Sequence, residues 1–353
     1  MKKWLKRLGW TIAGLVLALA IITFDFLRHG GQFKTLTAVN AELCTPFELA
    51  ASAEDIRIDR ARGVAYLSYL DRRGQIEGKA VLGTVMLLDL NLPEARPRPA
   101  LASDPPAFRP HGMSLYRAGD GSQRLFVISH PPAAGHTVEV FDQLPTGAFS
   151  PARTIRDPLL IDPNAIVAVG PAQFYVANDS GARNAFDRVT EMLFRRGMSA
   201  IVYFDGQTLR EVATGLKAAS GIAMSPDGSR IYVSETAGNR LAVFERNAGT
   251  GDLTLLEHVP LGSAPDNLSV EPDGTVWIAA HAKVLALVQH FGNASKPAPT
   301  EVFRWRQGGS PTVVYRDLGT QLSAGSGAVR AGDELLIGSI TTPRILRCRL
   351  PPG

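Results

Sequence analysis

Residues 220–235 read S-G-I-A-M-S-P-D-G-S-R-I-Y-V-S-E, and residues 267–281 read N-L-S-V-E-P-D-G-T-V-W-I-A-A-H. Each stretch begins with a polar residue, runs through small or apolar residues, turns on P-D-G and returns on a strand rich in β-branched and aromatic side chains. Pro-Asp-Gly between two such runs is a hairpin signal: Pro presets one turn residue and Gly tolerates the positive φ of another. The two turns, at 226–228 and 272–274, lie 46 residues apart. Working outward, the same unit recurs at Glu54 in S-A-E-D-I, His111 in R-P-H-G-M, Asn164 in D-P-N-A-I and Ser326 in G-S-G-A-V. With Ser220 and Asn267 included, the starts are 57, 53, 56, 47 and 59 residues apart. Each is followed by an apolar strand carrying Tyr66, Phe126, Tyr175, Tyr232, Trp277 or Leu336. A near-constant period of this size predicts an all-β, six-bladed β-propeller, one four-stranded blade per unit. The first strand of every blade lines the central channel, so these scattered polar residues should converge in one place.

Composition agrees. Only 20% of the 353 residues are charged, and Gly (34) and Pro (24) are abundant, which suits a turn-rich β protein and excludes a coiled coil. Lys2, Lys3, Lys6, Arg7 and Arg28, less Asp25, account for the whole net charge of +4. The remainder is neutral, so the high pI is no signal for nucleic acid. Residues 8–24 are apolar and uncharged and span about 25 Å as a helix, close to a hydrocarbon core. The cations before this run place the N-terminus in the cytoplasm and the rest of the chain outside it, in a periplasm. The alternative is a cleaved signal peptide and a secreted domain, but no A-x-A motif precedes Asp25. The expected organisation is a cytoplasmic tail and membrane anchor over 1–30, a polar linker over 31–43 and a propeller over 44–353.

Cys44 opens the repeat array and Cys348 closes it. A propeller ring must be closed, and the two chain ends usually meet in one blade. A disulfide there would contribute on the order of 4–5 kcal/mol in the chain-entropy model. Two unrelated buried thiols are the alternative. Strands are expected at 63–70, 84–90, 124–130, 136–141, 166–170, 173–179, 200–205, 230–235, 240–245, 275–281, 284–288, 312–315 and 334–339. Residues 181–198 break the pattern. Ala185, Val189, Met192 and Leu193, with Phe186 beside them, are spaced for one helical face. This predicts an inserted helix above the channel mouth, either packed on the rim or forming a wall of the site.

The pooled channel positions are Glu54, Asp55, His111, His130, Asn164, Asn178, Asp179, Ser220, Asp266, Asn267 and His281. Carboxylate and amide oxygens from several blades suit a hard cation such as Ca²⁺, which takes six to eight oxygen ligands, and the set contains no thiolate for a softer metal. A lone Asn at a strand start is more often a cap and a lone His a hydrogen-bonded core residue; the set carries the signal.

The words S-A-E-D-I, R-P-H-G-M-S, V-I-S-H-P, I-V-A-V-G-P-A-Q-F-Y-V-A-N-D, G-I-A-M-S-P-D-G, D-N-L-S-V-E-P and L-L-I-G-S, in this order from Cys44 to Leu350, resemble the serum paraoxonases. These are calcium-dependent lactonases and arylesterases on a six-bladed propeller, with an uncleaved hydrophobic N-terminus and a disulfide joining the chain ends. The resemblance implies a catalytic calcium held by Glu54, Asn164, Asp266 and Asn267, with Ser220 where the family has an Asn. It implies a second, structural calcium at Asp55 and the Met113 carbonyl, but Ala165 stands where the family has a third, carboxylate ligand. His111 and His130 match the family's histidine pair, His281 a further channel histidine and Asp179 an acidic neighbour. The expected reaction is hydrolysis of a lactone or aryl ester, calcium polarising the carbonyl and His111, or alternatively His281, activating water. There is no G-x-S-x-G elbow for a serine nucleophile. Competing readings are a non-catalytic binding propeller and a sugar-lactone hydrolase of the gluconolactonase type.

Overall fold

The computed structural model describes residues 2–92, 94–133 and 135–350. Six four-stranded antiparallel sheets surround one axis. Their innermost strands are Ser52–Asp59, Pro110–Arg117, Pro163–Ala168, Ala219–Met224, Ala264–Val270 and Gly325–Ala331, which define blades 1 to 6 in that order. Blades 1 to 5 are consecutive in the chain. Blade 6 takes its outermost strand, Cys44–Glu48, from the other end and pairs it with Arg344–Cys348. Cys44 and Cys348 are opposite each other in that register and are disulfide-bonded, so the ring is closed covalently as well as by the strand ladder.

The core lies between blades. Tyr175 and Ile201 of blade 3 pack with Ile222, Ile231 and Val233 of blade 4; Trp277 and Val302 of blade 5 pack with Ala328, Ile337 and Leu346 of blade 6. Tyr66, Phe126, Tyr175, Tyr232, Trp277 and Leu336 are all buried, as the repeat required. Burial of one large apolar side chain stabilises by about 1.5–3 kcal/mol, so each interface is held by several such contributions.

Helix α1 (Lys2–His29) contains a segment, Lys6–His29, long and apolar enough to cross a membrane. Residues 31–43, the polar linker, make contacts with the propeller. Lys34 donates to the Gly262 carbonyl at 2.6 Å, Val39 bridges to Arg316 and Asn40 donates to the Val314 carbonyl at 2.9 Å.

Helix α2 (Arg72–Ile76) follows the second strand of blade 1, and helix α3 (Ala185–Phe194) is the predicted insertion. The apolar face of α3 is turned outward: Phe186 is 73% exposed and Met192 55%. Glu191 is the residue it buries, hydrogen-bonded to the Ser180 hydroxyl. Residues 284–288, expected as a strand, instead begin helix α4 (Val284–Gly292). A short apolar run has no periodicity that separates strand from helix, and Leu and Ala favour the helix.

Candidate active site

One irregularity repeats in every blade. The register between first and second strand shifts at Ala53/Ile56, Pro110/Met113, Pro163/Ala165, Ala219/Gly221, Pro265/Leu268 and Gly325/Gly327. These bulges contain Glu54 and Asp55, His111, Asn164, Ser220, Asp266 and Asn267, and Ser326. A bulge inserts an unpaired residue and re-aims its side chain. Here it turns one or two polar residues per blade toward the axis. Glycines after the bulged residue let neighbouring blades approach: a Cβ on Gly112 would lie 2.3 Å from the Asn164 carbonyl oxygen, and one on Gly221 2.4 Å from that of Asp266.

Glu54, Asp266 and Asn267 are buried at this floor. Asn267 donates to Glu54 Oε1 at 2.5 Å. The other Glu54 oxygen, Oε2, is 3.5 Å from His111 Nε2 and 4.0 Å from Arg72. Glu54 Oε2, Asn164 Oδ1 and Asn267 Oδ1 are buried with no hydrogen-bond partner. Each such orphan costs about 1–3 kcal/mol, and unsatisfied oxygens on the inner strands of three blades are donors of the kind that suit a hard cation. Burial, the largest influence on Glu54, would raise its pKa, yet His111, Arg72 and Asn267 together hold it below the usual range. Burial raises Asp266, opposed by its hydrogen bond from His281, whose Nε2 is 3.1 Å from Asp266 Oδ2.

Other expected residues divide. Ser220 is buried, but its hydroxyl is shared with Thr236 and lies 3.3 Å from the Pro265 carbonyl. Ser326 donates to the Glu54 carbonyl at 2.7 Å and so braces the floor. Asn178 is engaged by backbone: its Oδ1 accepts from Ile161 N at 3.0 Å and its amide donates to the Leu159 carbonyl at 2.9 Å. Burial, then Asp162 and Asp266, push Asp179 up to about 7. His111 Nδ1 and His130 Nε2 are 2.7 Å apart.

The residues matched to a second ion do not fit one. Asp55 Oδ2 accepts from Met113 N at 2.7 Å and lies 3.0 Å from the Arg57 guanidinium. Arg57 Nε donates to the Met113 carbonyl at 2.6 Å, and its Nη1 to the Leu268 carbonyl at 3.3 Å. Both expected donors already face a cation, and Ala165 offers a methyl group. Burial pushes Asp55 up to about 6 despite Arg57.

Sequence reading missed three residues here. Arg72, buried at the start of α2, donates to the Pro110 carbonyl at 2.8 Å. His136 Nδ1 is 2.7 Å from His130 Nδ1. Arg57 had a signal, since it stands on the same strand face as Asp55, two residues on.

A six-bladed propeller with an oxygen-rich, histidine-flanked channel floor is the class that fold and site define. A family model for arylesterases matches residues 48–350. Serum paraoxonase/arylesterase 1 of Rattus norvegicus is 32% identical over 95% of this chain and 97% of its own, and that of Homo sapiens 33% over 95% and 97%. Serum paraoxonase/arylesterase 2 of Gallus gallus is 34% identical over 76% of this chain and 77% of its own. The chain belongs to the arylesterase family and is an ester-hydrolysing enzyme. Among solved structures, regucalcin, a calcium-binding protein from Agrobacterium tumefaciens, superposes with TM-score 0.52 at 16% identity over 89% of this chain and 94% of that one. A luciferin-regenerating enzyme does so with TM-score 0.54 at 9% identity over 88% and 94%. At such identities these two share the fold alone.

Proposed function

We propose that this chain is a calcium-dependent hydrolase of lactones and aryl esters that holds one ion at the channel floor. The observation that carries this is the trio of buried, unpartnered oxygens on Glu54, Asn164 and Asn267. Asp266 completes the set, with Ser220 at its edge. A bound calcium would supply a Lewis acid for the carbonyl oxygen and for the charge that develops on it. His111 accepts the proton of the attacking water at Nε2, the nitrogen that faces the Glu54 carboxylate. His130 holds the opposite nitrogen, fixing the ring and its tautomer. His281 orients Asp266. Its buried place against that carboxylate favours His111, the more exposed ring, as the base.

The same reading makes residues 1–30 a retained membrane anchor, with the propeller (44–353) outside the cytoplasm. Gly30 accepts from Val284 N at 2.9 Å and Asn239 donates to the His29 carbonyl at 2.8 Å, so α1 runs into the domain without a free tether. Carbonate washing of membranes should leave the full chain in the pellet.

The test of function is hydrolysis of aryl acetates and of lactones of graded size by the full-length protein in detergent. Chelation should abolish turnover and added calcium restore it. Turnover that survives complete chelation would overturn the reading.

A further inference from the structure

Three histidine rings stand in line from the channel floor outward. His111 Nδ1 to His130 Nε2 is 2.7 Å, and His130 Nδ1 to His136 Nδ1 is 2.7 Å. Successive ring centroids are 4.9 and 4.7 Å apart, with the planes at 66° and 85°. The blade sets this up. Ser129 pairs with Thr137, so His130 and His136, just beyond them, lie side by side at the channel end of blade 2. His136 belongs to no motif and sits half-exposed at the rim.

We propose that His111, His130 and His136 form a directed proton path, and that His136 is its outer terminus. This rests on the reading of His111 as the base. As a residue acting through His130, His136 is a positioning residue.

Burial, then the neighbouring His111 and His136, hold His130 well below the usual histidine range, so its ring is neutral. A neutral imidazole has one N–H and one lone pair. With both His130 nitrogens engaged by other rings, one contact must donate and the other accept. In the base-competent arrangement, His111 keeps its lone pair at Nε2 and donates Nδ1–H to His130 Nε2. His130 donates Nδ1–H to His136 Nδ1, and His136 carries its proton on Nε2.

When His111 Nε2 takes a proton from water, the N–H bonds to the outside shift by one ring each. His130 Nε2 gains the His111 proton, and His136 Nδ1 gains the His130 proton. The positive charge then rests on the half-exposed His136 rather than beside buried Arg72 and the cation site. Collapse reverses the order: protons step inward again and His111 Nε2–H protonates the departing alkoxide or phenoxide. The tautomers are restored, and the overall change is ester plus water to carboxylate, alcohol and the one proton that the acid product releases.

The experiment uses full-length protein with calcium, assayed on an aryl acetate in dilute, bulky buffer. His136→Gln keeps a hydrogen-bonding group but cannot pass a proton. It should lower kcat about tenfold, a part of the hundredfold or more that positioned proton transfer supplies, with KM within about twofold. His136→Ala should behave alike and recover with added imidazole. Wild-type kcat in both variants, or a loss that imidazole does not restore although unfolding midpoints match the parent, would overturn the path. His111→Gln separates the two readings. If it keeps wild-type kcat, the base assignment fails and the path with it. If it is inactive while His136→Gln is unaffected, the path alone fails.

Discussion

Glu54 and Asp55 are neighbours on one strand, both buried, yet their surroundings are opposite. At Glu54 the carboxylate of blade 1 meets the Asn267 amide of blade 5, and Glu54 Oε2, Asn267 Oδ1 and, on the inner strand of blade 3, Asn164 Oδ1 have no hydrogen-bond partner. Around Asp55, the carboxylate and the Met113 carbonyl are already bound by Arg57. In the first cluster Arg72 stands 4.0 Å from the carboxylate and leaves its oxygen without a hydrogen bond, whereas in the second Arg57 binds the carboxylate at 3.0 Å and the carbonyl at 2.6 Å. Neighbouring carboxylates of equal burial can therefore have opposite surroundings, and orphaned oxygens are the feature that separates the proposed metal site from an internal ion pair. Arg suits the second role because its planar fork satisfies a carboxylate and carbonyls at once.

The largest expected effect falls on the first cluster. Asp266→Ala should lower kcat for aryl acetates by roughly 10²–10³, the scale of losing one electrostatic stabiliser of the developing charge. Initial rates at saturating calcium check this, and an unchanged kcat would mean that the orphaned oxygens do not serve the reaction.

Next is the second cluster. Arg57→Met leaves Asp55 buried without its cation, and removing one partner of a buried pair costs about 3–5 kcal/mol. The urea midpoint should fall accordingly, and millimolar calcium should not restore it. Full rescue by calcium would erase the contrast between the clusters.

The contrast can also be inverted. Arg57→Met combined with Ala165→Asp exchanges the internal cation for a third oxygen donor. Bound calcium, measured by elemental analysis after dialysis, should rise from one ion per chain to two. An ion that binds only the folded state stabilises by about 2.7 kcal/mol at a hundredfold excess over Kd, so the midpoint should become calcium-dependent. A count that stays at one would remove Asp55 and Met113 from any metal-binding role.

The smallest effect is on pH dependence. Asp179 is pushed up to about 7 by burial, whereas in the unfolded chain an Asp titrates near roughly 3.9. Between these values the folded state keeps a proton that the unfolded state has shed. This group therefore makes stability fall as pH rises through that window. Asp179→Asn should flatten that slope, read from unfolding midpoints at successive pH values; an unchanged slope would show that Asp179 is ionised throughout.

The repeat, the inner-strand polar residues and the paired cysteines were legible in the sequence, because each blade needs the same turn chemistry and the same buried aromatic. Outer strands such as Leu253–Pro260 were not. Their side chains are mostly exposed, so no alternation marks them. The helix over Ala185–Phe194 was legible from its period, but the period says nothing of which way an apolar face points, and this one points outward. By itself, the sequence determined the ring, its closure and the residue types at the floor, since these follow from local periodicity and turn geometry. Only the tertiary structure decided which oxygens are left without partners, that Arg57 fills the place beside Asp55, and that His136 continues the histidine line. Those outcomes depend on distances between residues of different strands and blades, which no local pattern encodes.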